Sequence, residues 1–233
     1  MKNLIKGILD NYGIIIGKKM PWMNNYTWLK ELNISTIIDV GANEGQFVKE
    51  IRSIIPTAFI YSFEPIKSVF EKLKTNLSHD KNITFYNLGL GDSDSFLEMN
   101  VNDHSPSSSL LDLEKTHLEK YPHAAKTHKE TISVKTLDSV ININNIKKNL
   151  LIKVDVQGYE DKVIIGGMNT FNFAKIAIVE TSYKLLYKDQ KLFEDIYDLL
   201  VKLGFKYRGN FKELRYANET GEVLFGDAIF VKE

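Results

Sequence analysis

Apolar and polar positions in this chain follow two periods that alternate from segment to segment. Thr36-Ile37-Ile38-Asp39-Val40 is a short β-branched apolar run, and Ala58-Phe59-Ile60-Tyr61-Ser62-Phe63 alternates with aromatic and β-branched side chains. Both read as strands. Ile83 to Asn87, Leu150 to Val156 and Ala174 to Glu180 read the same way. Between them the period lengthens to that of a helix. Glu44 to Ile55 is stopped by Pro56, Ile66 to Leu77 lines up Val69, Phe70, Leu73 and Leu77, and Leu192 to Leu203 is closed by Gly204. Asn24 to Leu32 reads as a helix leading into the first strand, and Met1 to Leu9 as a short amphipathic helix. From about Asp92 to Glu130 the pattern loosens, and extended structure resumes at Ile132 to Val134. Glu222 to Val231 closes the chain as an extended run, paired with Phe205 to Tyr207.

Repeated β-then-α units predict an α/β fold. The expectation is a single doubly wound, mostly parallel sheet covered on both faces, with a C-terminal antiparallel strand pair. No internal repeat or low-complexity linker divides the chain. The organisation read from it is a short N-terminal helical extension over 1–33 and one domain over 34–233.

Composition narrows the function classes. The 30 basic and 30 acidic residues cancel, so the basic surplus of a nucleic-acid binder is missing. Absence of cysteine excludes disulfides and thiolate chemistry and fits a cytoplasmic protein. No apolar stretch approaches the ~20 residues of a membrane span. Lys6 and Asp10 break the apolar start and no small-residue cleavage site follows, so a signal peptide is not the expectation there.

The candidate chemistry begins where the first strand ends. Gly41-Ala42-Asn43-Glu44-Gly45 follows Asp39 as a glycine-bearing turn into a helix, the construction that brings backbone against a polar ligand. A dinucleotide fingerprint wants glycine where Asn43 and Gln46 stand, so a pyrophosphate suits the loop poorly. A ligand with an amino-acid end and a nucleoside end, S-adenosylmethionine, suits it better. Glycines that merely relieve turn strain are the alternative. Glu64, at the tip of the second strand, lies near the ~20-residue spacing at which a carboxylate meets ribose hydroxyls, and Pro65 is fitted to open the next helix.

Lys153, Asp155 and Gln157 share one face of a regular fourth strand. Charges there are costly to bury unpaired, which marks them as candidates. Asp155 is the first choice for a base that takes a hydroxyl proton, with Glu160 and Glu180 behind it. Lys153 and Gln157 are candidates for substrate contact. Mg²⁺ between Asp155 and Glu180 is a weaker reading, because no tight ligand spacing accompanies them, and no metal ligands are assigned. His117, His123 and His128 do not fall on one helical face as ligands. Tyr12, Trp22 and Tyr26 are of the type that lines a sugar pocket, though such residues more often pack as core.

Seven pieces of the sequence occur together in a recognisable order. They are Ile38 to Gly45, Phe63-Glu64-Pro65, Asn87-Leu88-Gly89-Leu90-Gly91-Asp92, Ser107 to Leu110, Val134 to Asp138, and Leu151 to Glu160 followed by Ile178-Val179-Glu180. Together they resemble the FkbM family of S-adenosylmethionine-dependent methyltransferases. The resemblance implies a Rossmann-like class I methyltransferase fold and an O-methyltransferase, with a sugar, glycan or natural product offering a free hydroxyl. It further implies that Asp39, Gly41, Ala42, Asn43 and Gly45 hold the methionine end, Glu64 the ribose, and Asn87 with Leu88 the adenine, with Asp155 beside the cofactor. His104, Ser108 and Ser109 match a small polar stretch near the cofactor and are expected to contact substrate. Gln157 departs from the glutamate common at that position. A dinucleotide-dependent oxidoreductase and a non-catalytic cofactor-binding protein stay open as alternatives, and a homo-oligomer is compatible with the chain.

Overall fold

The computed structural model describes residues 26–102, 108–111, 127–211, 214–217 and 220–233. Met1 to Leu9, Tyr12, Trp22, His104, Ser107, His117 and His123, singled out above, lie outside them.

One large sheet organises the chain. Its parallel strands are β1 (Thr36–Val40), β2 (Phe59–Phe63), β3 (Ile83–Tyr86), β7 (Leu150–Val154) and β8 (Ile176–Ser182). At the C-terminal edge β11 (Val223–Val231) runs antiparallel to β8. β11 also pairs with β9 (Lys206–Asn210) and the short β10 (Arg215–Tyr216). The spatial order β10-β11-β8-β7-β1-β2-β3 makes an eight-stranded sheet, with β9 joined to β11 off that path. The antiparallel pairing of β9 with β11 is therefore present, and β11 is the strand that seals the parallel part.

The central strands β1, β7 and β8 are largely apolar because both their faces are covered. Ile37, Ile60, Leu151 and Ile176 pack with Phe47, Val48 and Ile51 of α1 (Gln46–Ile54) and Leu73 of α2 (Lys67–Asn76). Ile38, Ile152, Ala177 and Phe230 face Val163 of α4 (Glu160–Gly166), Phe171 of α5 (Met168–Phe173) and Leu200 of α6 (Phe193–Lys202). Among the described residues the remaining α-helix, α3 (Leu137–Val140), opens on a Thr136 side-chain cap.

Two expectations are corrected. The stretch from Asp92 to Glu130 is not uniformly irregular. β5 (Ser95–Asn102) and β6 (Thr127–Lys135) pair antiparallel, and with β4 (Gly89–Leu90) they form a second, three-stranded sheet. Alternation sends Met99, Val101, Ile132 and Val134 against Ile66 and Val69, while Phe96 stands 77% exposed. The helix expected over Asn24 to Leu32 is, in its described part, a single 3-10 turn over Thr27–Lys30. Asn33, in a left-handed conformation, ends the connection before β1. Among the described residues no helix is long and apolar enough to cross a membrane.

Candidate active site

Chain order reverses direction in space between β1 and β7. Strands β2 and β3 are added on one side of β1, whereas β7, β8 and β11 are added on the other. Open α/β sheets bind ligands outside the carboxyl ends of the strands at such a point. Here the two strand ends are drawn tightly together, for Asp155 N–H donates to the Val40 carbonyl at 3.0 Å. Gly41 follows at φ +79°, and a Cβ on it would sit 1.8 Å from the Asp155 carbonyl oxygen. Only glycine fits there.

The rest of the glycine loop is pinned from beneath. Gly41 and Ala42 N–H groups donate to the Phe63 carbonyl at 3.0 and 2.9 Å. Asn43, at φ +48°, turns its N–H to Glu64 Oε2 at 3.0 Å, and Ile66 N–H reaches Glu64 Oε1 at 2.9 Å. Asparagine tolerates that left-handed conformation, which explains a functioning turn without the second glycine of the dinucleotide pattern. Glu64 thus ties the β1–α1 loop to the start of α2. Burial raises its pKa to about 7 against the pull of those two N–H groups. A carboxylate oxygen takes more than one donor, so acceptor capacity remains toward the cavity that Glu64 lines.

Beside this loop a polar row crosses the sheet. Asp39 on β1 is level with Ser62 on β2 and Lys153 on β7. Asp39 is 1% exposed, and neither its Oδ2 nor Ser62 Oγ has a hydrogen-bond partner among the described residues. Burial raises the Asp39 pKa to about 7; Lys153 opposes the rise, and the charges of Asp155 and Glu64 add to it. Two residues further toward the strand ends stand Asp155, Glu180 and Asp227, the last two directly opposed on β8 and β11.

Lys153 and Gln157 knit this second row together. Lys153 Nζ lies 2.8 Å from Asp227 Oδ1 and 3.4 Å from Asp155 Oδ2. Burial works against its charge, but the carboxylates of Asp155, Asp227 and Glu180 prevail and hold its pKa above the ordinary lysine value. The strand breaks after Val154, and Gln157 takes φ +57° with Gly158 at +101°. That turn aims the Gln157 amide inward: Nε2 donates to Asp155 Oδ1 and to Glu180 Oε2, both at 2.8 Å, while Oε1 accepts from the Tyr187 hydroxyl at 2.6 Å. Burial, then the charges of Asp155 and Glu160, raise the Glu180 pKa well above the ordinary carboxylate value. Replacing Lys153 with Met leaves the carboxylates around it without their cation, and is expected to cost about 3–5 kcal/mol in urea unfolding. A cost under about 1 kcal/mol would show that Lys153 does not hold the cluster.

These residues open on a cavity of about 410 Å³. Asp39, Gly41, Ala42, Asn43, Glu64, Leu88, Ser108, Lys153, Asp155, Gln157 and Glu180, all singled out from the sequence, line it. Four other candidates, Gly45, Asn87, Glu160 and Ser109, are not among the lining residues. Gly45, at φ +90°, caps α1 against Leu73 and Leu77. Asn87 Nδ2 donates to the Glu64 and Pro65 carbonyls, both at 2.9 Å, and so braces the loop that carries Glu64. The Glu160 carboxylate accepts from Val156 and Gly158 N–H at 3.1 Å, closing the turn before α4. Burial raises its pKa to about 7. Ser109 Oγ donates to the Gln157 carbonyl at 2.6 Å and holds the Ser108–Leu111 segment against the site. No group of three or more acidic or histidine side chains placed to hold a metal occurs among the described residues.

Sequence reasoning missed Asp227, Tyr187 and the apolar wall of Met99, Leu110 and Ile132. Asp227 carried the same signal as Lys153, a charge inside an otherwise apolar strand. Tyr187, 1% exposed, follows no periodic element and offered no signal.

The sequence pattern of the family described as the methyltransferase FkbM domain matches residues 39–207, from Asp39 at the end of β1 to Tyr207 in β9. The chain belongs to the FkbM methyltransferase family. Among curated proteins it is similar to the 2-O-methyltransferase NoeI of Sinorhizobium fredii, with 24% identity over 170 residues covering 70% of each chain. It is also 31% identical over 144 residues to Methyltransferase 1 of Beauveria bassiana, covering 57% of this chain and 58% of that one. Among solved structures, the methyltransferase domain of a bacterial Hen1 superposes with a TM-score of 0.48 at 13% identity, covering 89% of this chain and 95% of that one. The fibrillarin of Aeropyrum pernix, with natively bound S-adenosyl-L-methionine, superposes with a TM-score of 0.45 at 14% identity, covering 84% of this chain and 66% of that one. Membership of an FkbM methyltransferase family accords with the α/β architecture, whose parallel sheet reverses between β1 and β7.

Proposed function

We propose that this FkbM-family protein is an S-adenosylmethionine-dependent O-methyltransferase acting on a hydroxyl of a sugar, glycan or natural-product acceptor. One observation carries the cofactor reading. Asp39 lines the cavity next to the Gly41 turn, where backbone can approach a ligand closely, and its buried Oδ2 has no hydrogen-bond partner among the described residues. An unpaired carboxylate in that position calls for a cationic partner, and the ammonium of a methionine moiety supplies one. Glu64 keeps acceptor capacity for ribose hydroxyls, and Phe63, Leu88 and Leu90 give an apolar wall for a base.

When bound, S-adenosylmethionine supplies a methyl group on a sulfonium, whose departure as a neutral thioether leaves the electron pair on sulfur. The protein's task is alignment and proton removal. Asp155 and Glu180 hold two carboxylates at one wall of the cavity, fixed by the same Gln157 amide. We assign Asp155 as the group that receives the hydroxyl proton and Glu180 as its partner. Lys153, with Asp227 behind it, places its ammonium 3.4 Å from Asp155 Oδ2. Glu160 acts at one remove, through the turn it closes. The 2-O-methyltransferase named among the relatives supports oxygen as the acceptor atom.

Transfer of labelled methyl from S-adenosylmethionine to a panel of hydroxylated acceptors, with and without Mg²⁺, tests this reading. Label on oxygen is the expected result; label on nitrogen or carbon alone would overturn it.

The raised Asp39 pKa gives a further expected outcome. A cation binds the ionised carboxylate, so below about pH 7 binding must also remove a proton from Asp39. Affinity for S-adenosylmethionine is expected to rise with pH and level off above 7, by up to about tenfold per unit below that. Calorimetry in buffers of different ionisation enthalpy reads the released proton directly. An affinity flat between about pH 5.5 and 8 would remove Asp39 from the contact.

A further inference from the structure

The acceptor side of the cavity is short of cations. Asp155, Glu180 and Asp227 line it, and among the described residues lining the cavity Lys153 is the one basic side chain. Its ammonium is engaged by Asp227 and Asp155. Asp155 and Glu180 are bridged by the neutral amide of Gln157, with no positive charge between them. At the cofactor end of the same cavity Asp39, 1% exposed, adds another buried carboxylate whose Oδ2 has no partner among the described residues. Phe225, next to the carboxylates on β11, adds an aromatic surface.

Such a wall treats incoming groups unequally. A hydroxyl or an ammonium donates hydrogen bonds to carboxylates. A phosphate, sulfate or carboxylate brings a like charge against Asp155 and Asp227, beside the partly buried Glu180, in a poorly solvated pocket where such a juxtaposition is strongly unfavourable. We propose that this end of the cavity is a charge filter. Its acceptor is a polyhydroxylated molecule that carries hydroxyl or amino groups, and no anionic group, next to the reacting hydroxyl. Asp227 is the residue that sets this preference. Removing its charge leaves Lys153 only partly neutralised, so that an anion gains a partner. The proposal rests on the methyltransferase reading above.

The test compares methyl glucoside, methyl glucosaminide and methyl glucuronide by S-adenosylhomocysteine release, for the wild type and for Asp227→Asn. The wild type is expected to use the first two at least about a hundredfold better than the glucuronide. In Asp227→Asn that ratio is expected to narrow about tenfold, and in Asp227→Glu to return. A ratio taken within one variant is insensitive to partial loss of folded protein, and the wild-type ratio stands even if Asp227→Asn fails to fold. Equal use of the glucuronide, or a ratio unmoved by Asp227→Asn, overturns the filter. Turnover of none of the three while S-adenosylmethionine still binds also overturns it and leaves methyl transfer standing. Failure of S-adenosylmethionine to bind overturns the methyltransferase reading itself.

Discussion

Asp155→Asn is expected to lower turnover by about 10²–10⁴-fold, the usual contribution of a positioned proton acceptor. The substitution keeps the shape of the side chain. Its carbonyl oxygen can still accept from the Gln157 amide or from Lys153, so one of the two side-chain contacts at the end of β7 survives. What it loses is the ability to take a proton. The loss therefore falls on kcat, with KM for the acceptor nearly unchanged, the pattern of an interaction made only in the transition state. Stability is expected to change little, because one charge leaves a cluster in which carboxylates outnumber the ammonium. Full turnover in Asp155→Asn, together with a collapse in Glu180→Gln, would move the proton-accepting role to Glu180.

The second large effect concerns backbone. Gly41→Ala is expected to abolish binding of S-adenosylmethionine and to destabilise the fold by about 3–5 kcal/mol, adding left-handed strain to a steric clash. The added methyl would stand 1.8 Å from the Asp155 carbonyl oxygen. Relief requires β1 and β7 to part where Asp155 N–H is bonded to Val40, and the parting displaces the Asp155 side chain too. Thermal unfolding and calorimetry together check this. An alanine variant with native melting temperature and affinity would show that the loop yields easily and that the close approach is incidental.

How much of this was legible in the sequence differs from element to element. The parallel strands were readable because burial on both faces makes them continuous apolar runs, and Asp39, Lys153 and Glu180 stood out against that background. Asp227 stood out equally, in a strand of Val, Leu, Phe, Ala and Ile, and the reasoning applied to Lys153 would have found it. The second sheet was hidden by composition. β5 carries inward Leu97, Met99 and Val101, but Ser95, Glu98, Asn100 and Asn102 and the serine-rich stretch that follows give it the look of a loop. Strand register is a tertiary fact, so nothing local announced that Gln157 bridges two carboxylates or that Tyr187 orients it. Glu160 and Asn87 were visible as polar residues at element ends. That both spend their hydrogen bonds on nearby backbone follows only from the turns they close.

The measurement that tests the account most directly is calorimetric titration of the protein with S-adenosylmethionine, S-adenosylhomocysteine and NAD, repeated on Glu64→Gln. The account predicts binding of the first two, none of NAD, and weaker binding by the variant with its fold intact. Binding of NAD alone would contradict it and restore the oxidoreductase reading; silence from all three would contradict any nucleoside cofactor at the β1–β7 crevice.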